Sequence, residues 1–366
     1  MSSPKQPVFV AIVGIGLVGA EFVDQLLAQP KELFQIISLS SSKATLFSAD
    51  GLSIGPSSWR DAFKQSAIPA VLSALTEELH GLVKAGRKVV LVDNTSAENV
   101  ANLYPHFLAG GVNVITPNKK AFSASQELFD EIVKAGGQSG ARYLNEATVG
   151  AGLPIISTLK DLVATGDTVT KIEGVLSGTM SYIFNNFSIA AIGGPSFSSV
   201  VKVARDNGYT EPHPGDDLNG ADVARKLTIL SRTIPALRTA LPLGYKSVDT
   251  RSLVPSALDG LATGDDFMSR LPEFDGEFEA LREEAQKEGK VLRYVGVIDV
   301  EKRVIKASLE KYENTHAFAT SLGGSDNIIM FHTRRYGARP LIVQGAGAGA
   351  AVTAMGVLSD LLKLII

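Results

Sequence analysis

Apolar positions follow two different rhythms along this chain. From residue 8 to about Ala147, short β-prone runs alternate with stretches of helical spacing. Residues 8–13 are continuously apolar, as a strand covered on both faces requires. Over 21–28, Phe22, Val23, Leu26 and Leu27 recur on one helical face. Further strands are expected at 36–39, 89–92 and 112–116, with helices at 77–85 and 125–134 between them. That alternation predicts an α/β domain with a doubly wound parallel sheet.

After Ala147 the rhythm changes. The chain reads as mainly helical to Ile234, with one strand at 171–176, then as a Pro- and Gly-punctuated region to about Asp275. A charged amphipathic helix is expected at 277–288. Residues 291–300 and 304–312 form an antiparallel hairpin around Glu301-Lys302-Arg303. Within it Ile305, Ala307 and Leu309 alternate with Lys306, Ser308 and Glu310, marking a half-buried face. A further strand is expected at 327–333, so this second domain is α+β. The predicted division is 1–150, 151–340, and a segment 341–366 that ends in a helix packed back on the first domain.

Two stretches imitate targeting signals. Lys5 followed by the apolar residues 8–20 resembles a leader peptide, but a buried strand entering a glycine turn accounts for it better. Residues 341–359 are uncharged and long enough to span a bilayer, yet they are mostly Gly and Ala and read as strand, turn and helix. A net charge of −3 over 366 residues leaves no broad basic field for nucleic acid or an anionic membrane. The chain has no cysteine, which removes disulfides, thiolate metal sites and thiol-dependent mechanisms, and fits a cytoplasmic location. His80, His106, His213, His316 and His332 are scattered, without the ligand spacing of a catalytic zinc site.

The first chemical signal is Gly14-Ile15-Gly16-Leu17-Val18-Gly19, set between an expected strand and an expected helix. In a Rossmann domain the first glycine makes the tight turn and the second admits a pyrophosphate. The third lets helix and strand pack closely, and the helix N-terminus adds positive partial charge. A purely structural glycine turn is the competing reading. An NAD-specific site usually carries an acid after the second strand. This strand instead ends Ser38-Leu39-Ser40-Ser41-Ser42-Lys43, with no acid to repel a 2′-phosphate, so NADP is acceptable beside NAD. The same stretch is also compatible with a solvated loop. A second glycine run, Gly345 to Gly349, offers close approach either to a ligand or to the first domain.

Candidate reacting groups fall in two places. Lys119 follows a parallel strand, at the sheet edge where ligands bind. Glu211, Asp216, Asp217, Asp222 and Lys226 lie within sixteen residues, and Asp222 and Lys226 share one helical face. Such a pair is usually a solvated ion pair. The surrounding carboxylates and the flanking Gly and Pro turns raise its interest. They suit an amino acid whose carbonyl is reduced: acids hold an ammonium group, and a lysine supplies the proton.

These motifs resemble homoserine dehydrogenase of the short fungal type, without a fused aspartokinase. The resemblance rests on Asp93-Asn94-Thr95-Ser96, Thr116-Pro117-Asn118-Lys119-Lys120-Ala121 and residues 145–154. It continues through Glu173-Gly174, Ser177-Gly178-Thr179, Gly208-Tyr209-Thr210-Glu211-Pro212, and Asp217-Leu218-Asn219-Gly220 to Lys226. It implies Lys226 as proton donor, with Lys119 at the nicotinamide and Asp217 in support; Glu211, Asp222 and Thr179 would bind substrate. The glycine turn with Ile15, Leu17 and Val18, together with Ser40, Arg60, Thr95, Ser96, Lys119, Gly208 and Gly349, would contact NADP or NAD. It further implies a monovalent cation, usually sodium, at Glu146 and the carbonyls of Val149, Ala151 and Leu153, though a domain-crossing hinge also explains that segment. A homodimer paired through the second domain, and a place in threonine and methionine biosynthesis, complete what it implies.

Aspartate-semialdehyde and glyceraldehyde-phosphate dehydrogenases combine similar domains but need a cysteine nucleophile, which this chain lacks. A deaminating amino-acid dehydrogenase survives on chemistry alone. A non-enzymatic NAD(P) sensor also shares the fold, because fold does not settle function.

Overall fold

The computed structural model describes residues 6–66 and 68–365; Lys5, which opens the leader-like pattern, lies outside them. The chain forms two compact units, residues 1–152 with 349–366, and residues 153–348.

The first unit is built on β1 (Val8–Val13), β2 (Phe34–Ser40), β3 (Thr45–Phe47), β4 (Val89–Asp93), β5 (Asn113–Ile115) and β6 (Tyr143–Leu144). Their order is β3-β2-β1-β4-β5-β6. All neighbours are parallel except β3, which turns back on β2. Connections leave β1 toward β2 on one side and β4 on the other, so the crevice of a doubly wound sheet opens at the end of β1. Every residue of β1 and β4 is buried, as their unbroken apolar runs require. The helices Leu17–Leu27 and Ala350–Leu362 close one face, with Phe22, Val23 and Leu26 joining Val357 and Leu361 over Val10 and Ile12. Gly356 permits this fit, since a Cβ there would stand 2.7 Å from the Ala151 carbonyl oxygen.

The second unit carries β7 (Val169–Val175), β8 (Asp249–Thr250), β9 (Lys290–Asp299), β10 (Val304–Glu313), β11 (Asp326–Thr333) and β12 (Leu341–Ala346), ordered β12-β11-β7-β9-β10-β8. The hairpin expected around Glu301-Lys302-Arg303 is β9–β10. Gly296 of β9 admits Val223 and Leu227 of the helix Ala221–Thr233 against one face of the sheet. On the other face, Val175, Val295, Val297, Ile328 and Met330 gather with Phe318.

The sequence pattern assigns all of 341–366 to the returning segment, and here the structure differs. Leu341–Ala346 pairs antiparallel with β11, and the return to the first unit begins only at Gly349. Alternating half-exposure along β12 is the mark of an edge strand; the sequence pattern reads a strand here but not the sheet it joins.

Candidate active site

Three backbone features form the nucleotide end. Gly14 sits at φ +85°, and its N–H donates to the Ser40 carbonyl at 2.8 Å. A Cβ at Gly19 would stand 1.9 Å from the Gly14 carbonyl oxygen, so only glycine lets the helix meet the turn. A Cβ at Gly16 would meet nothing within 4 Å, so this glycine faces open space. The helix Leu17–Leu27 starts there, with Leu17 exposed. This is the geometry of a pyrophosphate cradle.

Across the crevice, the loops after β4 and β5 are tied to one buried carboxylate. Asp93 Oδ1 accepts from the Thr95 N–H (2.8 Å), and Oδ2 from the Tyr104 hydroxyl (2.5 Å) and the Asn118 amide (3.1 Å). Thr116 donates to the Asp93 carbonyl at 2.7 Å. Burial raises the Asp93 carboxyl above its ordinary value, against the pull of those hydrogen bonds. Thr95 accepts from the Ala97 N–H (3.0 Å), Ser96 is exposed, and Lys119 is half-buried just before the short helix Lys120–Ser123. The amide of Asn94, beside the glycine turn, has neither buried polar atom hydrogen-bonded to protein.

Two residues expected at the cofactor are engaged within the protein. Ser40 is buried, and its hydroxyl is engaged with Thr45 (3.0 Å) and Ser38 (3.3 Å) in the β2–β3 hairpin; the exposed groups of that stretch are Ser42 and Lys43. Arg60 is bound to Asp24 through two hydrogen bonds, of 3.0 and 2.5 Å, and lies over the Trp59 ring. Hydroxyl-rich strand ends pair internally when a hairpin follows, and the sequence pattern does not reveal β3.

Glu146 is buried. Its N–H donates to Asp360 (2.8 Å), and its carboxylate lies 3.5 Å from the Lys363 ammonium, which also binds Asp360 at 2.9 Å. The following turn holds Gly150 at φ +77° and Ala151 at φ +54°, a strained conformation for alanine. Val149 is fully buried in the same turn, and the Leu153 carbonyl accepts from the Ile155 N–H. Among the described residues no group of three or more His, Asp and Glu could hold a metal ion. A cation at Glu146 would therefore depend on carbonyl oxygens.

In the second unit the reacting groups converge on the end of β7. Lys226 is only 6% exposed, and its ammonium donates to the Leu176 carbonyl (2.6 Å) and pairs with Asp222 (2.7 Å). One residue later, Ser177 caps the helix Gly178–Phe187, whose Thr179 hydroxyl shares its one proton between the Tyr209 carbonyl (2.6 Å) and Asp217 (2.9 Å). Asp217 also accepts from the Glu211 N–H at 2.8 Å. Burial pushes the Asp217 carboxyl up to about 6; the charges of Glu211 and Asp222 add to this, and the two hydrogen bonds oppose it. Thr179, Glu211 and Asp217 thus form one cluster, and Asp222 joins it to Lys226 through its charge. Gly208, at φ +71°, makes the turn ahead of Tyr209, while Gly349, at φ +118°, starts the last helix in the other unit. Sequence patterns miss Leu176 and Asn327, whose amide donates to the same Leu176 carbonyl at 3.2 Å. A backbone acceptor leaves no mark in the sequence, and a lone strand asparagine is unremarkable.

Known proteins resemble the chain throughout. A family model described as "Homoserine dehydrogenase, NAD binding domain" matches residues 14–146, and one described as "Homoserine dehydrogenase" matches 154–362. The chain is 48% identical to the homoserine dehydrogenase of Schizosaccharomyces pombe, over all of this chain and 97% of that protein. A Candida auris crystal structure of a protein of unknown function superposes with a TM-score of 0.91 at 44% identity, covering 98% of each chain. A mutant hyperthermophilic archaeal homoserine dehydrogenase in complex with NADPH shares the fold, with a TM-score of 0.70 at 19% identity over 98% of this chain and 97% of that one.

Proposed function

The chain belongs to the homoserine dehydrogenase family, and on that premise we propose how its residues divide the reaction. It is an NAD(P)-dependent oxidoreductase that interconverts L-aspartate 4-semialdehyde and L-homoserine. In the reducing direction the nicotinamide delivers hydride to the aldehyde carbon. The oxygen takes a proton, and Lys226 is its donor. The observation that carries this is a buried ammonium that donates to the Leu176 carbonyl and pairs with the Asp222 carboxylate. Such a group is oriented and shielded from bulk water, as a general acid should be. Asp222, Glu211 and Thr179 hold the amino acid, and Asp217 supports them as a carboxylate. Lys119 orients nicotinamide and substrate.

The cofactor lies on the turn Gly14 to Gly19, with Thr95, Ser96, Gly208 and Gly349 in contact. NADP is accepted through Ser42 and Lys43, because no acid follows β2. Sodium or potassium sits at Glu146 with the carbonyls of Val149, Ala151 and Leu153; support comes from the strained Gly150-Ala151 turn beside a buried acid. Two copies pair through the second sheet, whose edge strand leaves Ile342 44% exposed. The product feeds threonine and methionine synthesis in the cytoplasm. No helix among the described residues is long and apolar enough to cross a membrane.

Lys226→Met tests the assignment. kcat should fall by about 10²–10⁴, the usual value of a positioned acid, with NADPH affinity and melting temperature retained. Near wild-type turnover in this variant would leave Lys119 or a bound water as donor.

A further inference from the structure

The Leu176 carbonyl that holds Lys226 has a second donor. Asn327, at the start of β11, is fully buried, and its Nδ2 donates to that oxygen at 3.2 Å. A carbonyl only accepts, so chemistry fixes the orientation of the amide. Its Oδ1 is then buried without a hydrogen-bond partner. Leaving such an atom unpaired is costly, and an apolar side chain at this position would avoid the cost. In the β7–β11 ladder Ile328 pairs with Val175, so Asn327 stands one position beyond the last rung, opposite Leu176. The side chain replaces the missing rung. Gly347 leaves room for the amide, since a Cβ there would fall 2.0 Å from Nδ2.

We propose that Asn327 is a positioning residue for Lys226 and acts through the Leu176 carbonyl. The inference rests on Lys226 as the proton carrier. By sharing that oxygen, Asn327 fixes its direction and weakens its hold on the ammonium form, leaving Lys226 free to exchange its proton. Gly347 leaves the space the amide occupies.

Charged and titratable groups stand on several elements around Lys226. Asp222 lies on its own helix, and Asp217, which feels the charges of both Asp222 and Glu211, precedes it. Arg225, the next residue on the helix, is turned over the Tyr245 ring at 3.7 Å. From β9 the Tyr294 phenol meets Gly220, at the start of the helix. On the helix Ile156–Ala164, which packs against it, Ile156 and Leu159 are buried while Lys160 and Asp161 are exposed.

In homoserine oxidation Lys226 must be neutral to accept the proton, so kcat rises with pH through its titration. Losing the Asn327 donor strengthens the carbonyl–ammonium bond and favours the protonated form. Asn327→Ala should therefore move the midpoint of the kcat–pH profile upward by about 0.5 unit or more, and lower kcat at pH 7 by about threefold to tenfold, with NADPH affinity unchanged. Gly347→Ala, which displaces the amide without altering it, should shift the midpoint the same way and covers the case of an Asn327→Ala chain that does not fold. Profiles superimposed on wild type for both variants, with only the melting temperature lowered, overturn the proposal. Lys226→Met is measured alongside. If it is inactive while Asn327→Ala and Gly347→Ala are silent, this proposal alone fails; if it turns over normally, the proton-donor assignment falls and takes the proposal with it.

Discussion

The glycine turn of the first unit and the lysine centre of the second are built from different kinds of atoms. At the turn the working groups are backbone: N–H groups at a helix start, and glycines whose missing Cβ makes room. Residues 14–19 supply nearly all of it in one contiguous stretch. At the lysine centre the working groups are side chains, drawn from β7, the helices Gly178–Phe187 and Ala221–Thr233, the 208–217 segment and β11. A backbone site depends on local conformation and tolerates almost any neighbour. A side-chain site depends on long-range packing, and its charges acquire their character only after folding. Asp217 is an ordinary aspartate in the unfolded chain and titrates near 6 when buried beside Glu211 and Asp222.

Substitutions can separate the two modes. The largest effect is expected at the turn. Gly16→Ala adds a Cβ that meets nothing in the protein and, on the proposed cofactor site, takes space meant for a pyrophosphate. Its NADPH dissociation constant should rise by about 100-fold, with no change in melting temperature. Gly19→Ala, whose Cβ meets the Gly14 carbonyl, should lower both affinity and melting temperature. Equal losses of stability in the two variants would erase the distinction between ligand space and packing space.

The next effect is at the lysine centre. Asp217 takes up a proton as pH falls through about 6, so kcat/KM for homoserine should drop about tenfold per unit below that value. Asp217→Asn should flatten this acid limb and reduce kcat/KM at pH 8 by about 30-fold. Stability should move the other way. A carboxyl whose folded pKa lies above its unfolded value stabilises the fold less as pH rises from about 4 to 6, and that loss persists at higher pH. The Asn variant should therefore melt higher than wild type at pH 8 and no higher at pH 4. An unchanged acid limb would assign the titration to another group.

The smallest effect is at the strand end. Lys43→Ala should weaken NADP binding by about threefold to tenfold and leave NAD unaffected, while Ser40→Ala, inside the hairpin, should change neither. Equal losses for both cofactors would mean that this loop does not face the 2′ position.

The same contrast explains what the sequence reveals. β1, β4 and the turn Gly14 to Gly19 are legible because buried parallel strands and glycine turns impose their residue types locally. β3 is not, since a three-residue strand in a serine-rich stretch shows no clear alternation, and the pairing of β12 with β11 leaves no mark in its own residues. Lys226 and Asp222 are visible as a helical pair, but only the resemblance separates them from a surface ion pair. The hub roles of Asp93 and the Leu176 carbonyl depend on chain segments far apart in sequence, and no spacing rule reaches them.

Turnover of homoserine by the isolated protein tests the central claim most directly. Incubated with L-homoserine and NADP⁺ or NAD⁺, the protein should form reduced cofactor and aspartate 4-semialdehyde in equal amounts, releasing no ammonia. Ammonia appearing in step with reduced cofactor would make it a deaminating enzyme, and no turnover with either cofactor would leave a nucleotide-binding protein without this chemistry.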